Sequence, residues 1–197
     1  MLLVSAILLR NYPGILERST GRPAFVIGGG GACRPAVYAL WKWMGVNRIC
    51  MVKREESEIR DIIASFIDVG LNGELVFVPS AAEAAILEPP VLVVGTVPDI
   101  PPKEPGEKVR EITEVFLTSI EKGFVLEMSY HPAPDTYFFS RCHEMGWNVL
   151  YGTEVMIWQG VAQEVLWTEL SIENLNVDEA RKAVTGIIEK CAAELKL

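Results

Sequence analysis

The sequence predicts an α/β fold in which helices flank a doubly wound parallel sheet. Short apolar segments rich in valine and isoleucine alternate with longer amphipathic segments along most of the 197 residues. Such continuous apolar strands are typical of parallel sheets that are covered on both faces. The alternation itself favours right-handed crossovers between neighbouring parallel strands. A run of four glycines, Gly28 to Gly31, joins the first strand of this series to the first helix.

Each element is predicted from its local pattern. The apolar run Leu2–Leu9 is interpreted as a buried strand, since it is too short to span a bilayer. A short helix and a linker follow over residues 11–22. The remaining strands are predicted at Ala24–Ile27, Ile49–Val52, Leu75–Val78, Val91–Val94, Phe124–Met128 and Asn148–Leu150. Helices are predicted at Ala32–Met44, Glu56–Ile67, Ala81–Leu87, Lys108–Glu121, Thr136–Met145, Glu154–Trp167 and Val177–Leu195.

The composition argues against several classes of function. Half of the residues are hydrophobic and only 22% are charged, which excludes a disordered chain. A net charge of −8 argues against a surface that binds nucleic acid directly. The four cysteines are far apart and only two histidines are present, which predicts neither a disulfide framework nor a metal site. We expect a soluble intracellular protein, nuclear or cytoplasmic, that does not bind membranes.

The glycine turn and a basic pair one strand later predict a nucleotide site. Gly28, Gly30 and Gly31 allow a tight turn whose backbone can approach a pyrophosphate at the start of the next helix. Lys53 and Arg54 stand where sites for NAD carry a carboxylate, and they suit the 2′-phosphate of NADP. An empty strand–helix turn would look the same, so the sequence leaves occupancy open. The candidate cofactor contacts from this pattern are Gly28, Gly30, Gly31, Ala32, Arg34, Lys53 and Arg54.

Four separated segments follow the motifs of one family in order. The turn from Gly28 to Leu40 is similar to G-A-G-G-A-S/G-R/K-A-A-x-Y-A-L, and Gly95–Pro98 is similar to S/N-T-x-P. Leu126–Pro132 resembles D/E-x-x-Y-x-P, and Gly152–Thr168 resembles G-x-x-x-L-x-x-Q-G-x-x-Q-x-x-L-W-T-G. On these motifs the chain resembles the nucleotide-binding half of shikimate and quinate dehydrogenases, most of all the version in the fungal AROM polypeptide.

The resemblance implies a Rossmann-like domain that binds NADP beside a substrate domain. In that family the substrate domain holds 3-dehydroshikimate together with a catalytic lysine and aspartate. The resemblance adds Thr96 and Val97 as cofactor contacts and Tyr130 and Gln159 as substrate contacts, with ordinary packing as the alternative for the last two. It also implies that residues 1–22 are a remnant of the substrate domain with a linker, and that residues 23–197 form the nucleotide-binding domain.

Two departures from the family pattern fall where the chemistry needs particular residues. The family's N-T-D-W-x-G-I aligns with residues 9–15, and Asn11 stands in place of the catalytic aspartate. An amide cannot exchange a proton near neutral pH as a carboxylate can, so we assign no catalytic residue. Glu55 follows Arg54 and places negative charge where a 2′-phosphate would lie.

These departures favour a catalytically silent domain over a working enzyme. Fungal repressors of quinate utilisation are similar to the last three AROM domains, and the resemblance implies a metabolite sensor of that class. Its partners would be a quinate- or shikimate-pathway metabolite and a transcriptional activator protein. The alternative is the cofactor domain of an active NADP-dependent shikimate dehydrogenase. A third hypothesis is an interaction module that forms a homodimer through the exposed edge of the Leu2–Leu9 strand.

Overall fold

The computed structural model describes residues 3–52, 56–67, 70–71, 74–99, 108–131 and 133–194. Within these residues, six strands form one sheet: β1 Pro23–Ile27, β2 Arg48–Val52, β3 Glu74–Phe77, β4 Leu92–Gly95, β5 Phe124–Glu127 and β6 Asn148–Leu150. The strand order is β3-β2-β1-β4-β5-β6, and every neighbouring pair is parallel. This order is that of a Rossmann-like doubly wound sheet, so the predicted fold class is confirmed.

The helices predicted after the first strand of the sheet are also confirmed. The helices are α1 Leu3–Asn11, α2 Ile15–Ser19, α3 Cys33–Trp43, α4 Glu56–Ile67, α5 Ala81–Ile86, α6 Lys108–Leu117, α7 Tyr137–Glu144, α8 Gly152–Thr168 and α9 Val177–Glu194. Helix α6 ends four residues before its predicted end, because side chains bind the carbonyl of Leu117. Lys122 Nζ and Trp147 Nε1 donate to that oxygen at 2.7 and 3.0 Å.

The prediction of a strand over Leu2–Leu9 is wrong, because residues 3–11 form helix α1. Its buried side chains Val4, Ile7 and Leu8 are spaced three and four residues apart, so they lie on one helical face. That face packs against α3 and α8. A continuous apolar run of this length fits a buried helix as well as a buried strand. The strand edge on which the homodimer hypothesis depended is therefore not formed.

The sheet separates two hydrophobic cores, to which alternate residues of each strand contribute. In β1, Val26 faces the core formed with α1, α3, α4 and α8. Its neighbour Phe25 faces the core formed with α5, α6 and α7, where its ring lies 4.6 Å from that of Phe116. Helices therefore cover both faces, which explains why the middle residues of the central strands are apolar on either side.

The strand order reverses between β1 and β4, and this reversal positions the candidate site. The chain leaves β1 toward α3 on one face of the sheet and leaves β4 toward α6 on the other. Sheets of this type bind ligands in a crevice beside such a reversal, at the carboxyl ends of the strands, and we use the word crevice for that place in this structure. The three strand ends around this crevice are Ile27, Gly95 and Glu127.

Candidate functional site

The glycine turn lies directly against the loop that follows β4. Gly28 donates its N–H to the carbonyl of Val52 at 2.9 Å, while the backbone N–H and hydroxyl of Thr96 both donate to the carbonyl of Ile27, at 2.9 and 2.8 Å. Gly28 has φ +120°, and a β-carbon there would overlap the Thr96 hydroxyl and lie 3.2 Å from a methyl group of Val97. Only glycine allows this turn to pack so closely.

Gly30 and Gly31 face open space instead. Both are exposed, and apart from the chain neighbours of each glycine, no heavy atom of the described residues lies within 4 Å of a β-carbon built on either. Helix α3 begins immediately afterwards, without a side-chain cap at Ala32 and without an acidic residue in its first turn. The positive end of the helix dipole and the glycine backbone therefore meet at a surface that an anionic group can reach. Arg34 is exposed in the same first turn.

The basic pair predicted to bind a 2′-phosphate lies outside the described residues. The structure describes β2 as far as Val52, which contacts the glycine turn through Gly28, and describes nothing of Lys53, Arg54 or Glu55. The role of Lys53 and Arg54 in selecting NADP therefore stays a prediction.

Thr96 and Val97 follow β4 beside the glycine turn, and their contact with a cofactor stays a prediction. Thr96 is half-buried against the glycine turn, whereas the Val97 side chain is 45% exposed at the crevice. The hydroxyl of Ser129, from the loop after β5, donates to the carbonyl of Val97 at 3.2 Å. The loops after β4 and β5 are thus joined beside the crevice.

A buried carboxyl group at this edge was not anticipated from the sequence. Glu127 ends β5 with only 2% of its surface exposed, and its Oε1 accepts the backbone N–H of Ser129 at 2.6 Å. The pKa of Glu127 is raised to about 8, mainly by burial; the Ser129 N–H acts in the opposite direction, and the negative charge of Asp99 contributes a smaller part of the rise. A glutamate that ends an otherwise apolar strand is the one sequence signal that could have indicated it.

Tyr130 lies in the loop after β5, and Gln159 lies in α8, which begins near the end of β5. Tyr130 is 39% exposed and comes directly after Ser129. Gly152 begins α8 against the end of β5, where a β-carbon would lie 2.6 Å from the carbonyl oxygen of Met128. Gln159 is two helical turns later on the same side of α8, and it is exposed. Neither side chain is packed in the core, and their contact with a substrate stays a prediction.

Asn11 ends helix α1, and its alignment with the catalytic aspartate of the family stays a prediction. Its side-chain amide donates to the carbonyl of Ile7 at 2.9 Å, one turn earlier in the same helix. The side chain is exposed, and its amide group is engaged in ending the helix. The geometry therefore offers no proton acceptor at this position.

The start of α7 is closed to anions, in contrast to that of α3. The Thr136 hydroxyl accepts the N–H of Phe139 at 3.0 Å, and Asp99 accepts the N–H of Tyr137 at 3.1 Å. These groups occupy donors that would otherwise be available to a ligand. The start of α3 is therefore better suited to a phosphate than that of α7.

The described part of the chain also bears on membrane and metal sites. No helix there is long and apolar enough to cross a membrane. Nowhere in the same ranges do three histidine, cysteine, aspartate or glutamate side chains gather as a metal ion would require. Cys50 is buried, and burial raises its pKa to about 11, so its thiol is not activated as a nucleophile.

One relative among curated proteins indicates the ancestry of the chain. No protein-family model matches it. A quinate dehydrogenase of Emericella nidulans is 39% identical over 168 residues, which cover 82% of this chain and 51% of that protein. The chain is therefore homologous to quinate dehydrogenase and spans about half of that relative's length.

Two solved structures share the fold. The dehydroquinate dehydratase and shikimate dehydrogenase from S. pombe AroM matches 93% of this chain and 34% of its own, with a TM-score of 0.74 and 24% identity. A quinate dehydrogenase from Corynebacterium glutamicum in complex with NAD matches 92% of this chain and 60% of its own, with a TM-score of 0.67 and 20% identity. The chain therefore shares its fold with a part of each of these two proteins.

Proposed function

We propose that this chain is the nucleotide-binding domain of a protein of the quinate and shikimate dehydrogenase type, and that it binds a nicotinamide dinucleotide. The observation that carries the proposal is the open surface over Gly30 and Gly31 at the uncapped, acid-free start of α3. Homology to quinate dehydrogenase and the NAD complex of the bacterial quinate dehydrogenase support the same cofactor class.

Different residues around the crevice would bind different parts of the dinucleotide. Gly30, Gly31 and the start of α3 would hold the pyrophosphate through backbone N–H groups. Thr96 and Val97, joined to the β5 loop through Ser129, would border the nicotinamide side of the crevice. When bound, the nicotinamide supplies or accepts a hydride.

We further propose that NADP binds more tightly than NAD. Arg54 supports this preference, because its guanidinium can form paired hydrogen bonds with a phosphate. Glu55 beside it opposes this preference by repulsion. The balance between them is measured by comparing the two oxidised cofactors on the same protein.

The test is a titration of the purified chain with NADP, NADPH, NAD and NADH, followed by isothermal calorimetry. Gly30→Asp places a carboxylate over the proposed pyrophosphate site, and Gly30→Asn is the neutral control of the same size. We expect saturable binding by the wild type, a loss of about tenfold or more for Gly30→Asp and a smaller loss for Gly30→Asn. Absence of binding with all four nucleotides would overturn the proposal.

A second proposal, favoured by Asn11, is that the chain binds without catalysing. An amide engaged in its own helix cannot serve as the acid or base that the family's aspartate provides. On this proposal the chain senses a quinate- or shikimate-pathway metabolite and binds a transcriptional activator protein, as in fungal repressors of quinate utilisation. Oxidation of quinate or shikimate by the purified chain with NAD or NADP, above that of an Asn11→Ala control, would contradict it.

A further inference from the structure

A chain of hydrogen bonds joins three strand ends around the crevice. It begins at Glu127, whose Oε1 accepts the N–H of Ser129 at 2.6 Å. The Ser129 hydroxyl then donates to the carbonyl of Val97 at 3.2 Å. The preceding residue, Thr96, binds the carbonyl of Ile27 through both its N–H and its hydroxyl. The carboxyl group of β5 is thereby connected with the glycine turn after β1.

Glu127 lies in an enclosed position, so a change in its charge affects this series of hydrogen bonds. Its other oxygen, Oε2, would lie 2.8 Å from a β-carbon at Gly95, the last residue of β4. The ring of Phe138 closes the same side of Gly95, at 2.9 Å from that β-carbon. A carboxylate in such an enclosed place lacks the solvation that stabilises its charge.

The neighbouring charged and titratable groups add to this cost. Asp99, from the loop after β4, places a second negative charge near Glu127, and Cys142 of α7 is the thiol close enough to interact with it. The Ser129 N–H is the contact that favours the ionised form. Burial is the larger effect, so the pKa of Glu127 rises to about 8 and the carboxyl is mostly neutral at pH 7.

We propose that Glu127 is a positioning residue for nucleotide binding, which in its neutral form holds the loops after β4 and β5 in the arrangement that accepts the ligand and on ionisation releases Ser129. The expected effect on nucleotide affinity depends on the proposed function. Ionisation strengthens the hydrogen bond from Ser129, but the solvation that the buried carboxylate lacks is the larger effect, so the carboxylate would move toward water and release Ser129. Val97, to whose carbonyl Ser129 donates, would then lose its fixed position beside the crevice. Added negative charge would also oppose an anionic dinucleotide.

The experiment measures nucleotide affinity from about pH 6 to about pH 10, a range that brackets the pKa of a carboxyl shifted in this way. For the wild type, we expect affinity to fall by about tenfold per pH unit above the titration midpoint, since only the neutral form is competent. Glu127→Gln is neutral and keeps an acceptor for Ser129, so its affinity should equal that of the wild type at low pH and show no such fall. Glu127→Leu lacks the acceptor and should bind weakly at every pH.

A second variant separates Glu127 from other titrating groups. Asp99→Asn removes the nearby charge yet keeps an oxygen that can accept the N–H of Tyr137, so the midpoint should move to lower pH. Equal pH profiles for the wild type and Glu127→Gln would overturn the proposal.

A ligand-free measurement distinguishes failure of this inference from failure of the proposed function. Hydrogen exchange at the Ser129 amide, corrected for its intrinsic pH dependence, should accelerate above the midpoint in the wild type but not in Glu127→Gln. If no nucleotide binds but this difference is present, the nucleotide proposal fails while Glu127 still positions the loop. Equal protection in the wild type, Glu127→Gln and Glu127→Leu would overturn the positioning role.

Discussion

Gly28 and Thr96 are packed against each other across the point where the strand order of the sheet reverses. The Thr96 hydroxyl is held in place by its hydrogen bond of 2.8 Å to Ile27, and it occupies the space that a β-carbon of residue 28 would need. Neither partner can move without breaking a backbone contact at the end of β1. The closeness of these two loops therefore depends on the absence of a side chain at position 28.

Gly28→Ala should destabilise the fold, whereas Gly30→Ala should not. The first change adds a clash with Thr96 to the strain of φ +120°, and we expect a loss of at least about 2 kcal/mol. The second places a methyl group in open space, with an expected change within about 0.5 kcal/mol. Urea unfolding of the two variants measures the difference, and equal stabilities would contradict this account of the turn.

Glu127 should make the unfolding free energy fall as the pH rises, whereas a carboxylate whose pKa is lowered by folding makes it increase. Its pKa is about 8 when folded and 4.5 ordinarily, so between these values the folded state holds a proton that the unfolded state has lost. The stability contributed by this group is fully present below pH 4.5 and is lost as the pH rises to about 8.

The measurement is the difference in unfolding free energy between the wild type and Glu127→Gln at each pH, since other carboxylates cancel in that difference. We expect the wild type to lose stability relative to the variant by on the order of a few kcal/mol across this window. A difference that stays constant with pH would show that Glu127 titrates normally.

Arg54 and Lys53 should differ in their effect on cofactor choice. We expect Arg54→Ala to weaken NADP binding by about tenfold while leaving NAD binding nearly unchanged, because the lost contact is with the 2′-phosphate. Lys53→Ala should weaken NADP binding by a smaller factor, because an ammonium group cannot form the paired hydrogen bonds of a guanidinium, and Glu55→Gln should strengthen NADP binding. Calorimetric titration with both cofactors tests the set; equal losses for NAD and NADP in Arg54→Ala would contradict it.

Helix α9 should loosen when its ion pair with α8 is removed. Arg181 Nε and Nη2 bind the two carboxylate oxygens of Glu154 at 2.8 and 3.2 Å, while the described side chains of α9 are only half-buried or exposed. For Arg181→Ala we expect faster hydrogen exchange within α9 and a global loss below about 1 kcal/mol, since the pair is partly solvated. The exposed neighbour Lys182→Ala is the control, and equal exchange in both variants would show that the pair does not hold the helix.

The sequence predicted those elements whose signals are local. Helix α4 begins and ends as predicted at Glu56 and Ile67, because its buried residues Ile59, Ile62 and Phe66 repeat at helical spacing among polar neighbours. The run at the start of the chain carries no such contrast, since almost every residue in it is apolar. Its helical form is decided by contacts with α3 and α8, which are distant in the sequence.

In the candidate site, too, the residues in local motifs were predictable from the sequence, and those placed by distant contacts were not. The glycine turn and Thr96 lie in recognisable motifs, and the sheet order brings them together. The buried state of Glu127 depends instead on Gly95, Phe138 and Asp99, which reach it from other segments. A local sequence pattern cannot show that residues from these other segments bury the Glu127 carboxyl group.

The placement of α1 has a consequence for how the chain folds and how it can be shortened. Ile7 and Leu8 belong to the same core as Val26 of β1 and Leu40 of α3. A fragment that starts at Pro23 would leave the grooves of α3 and α8 uncovered and would lose cooperativity as well as stability. We therefore expect the smallest independently folding unit of this protein to include its first helix.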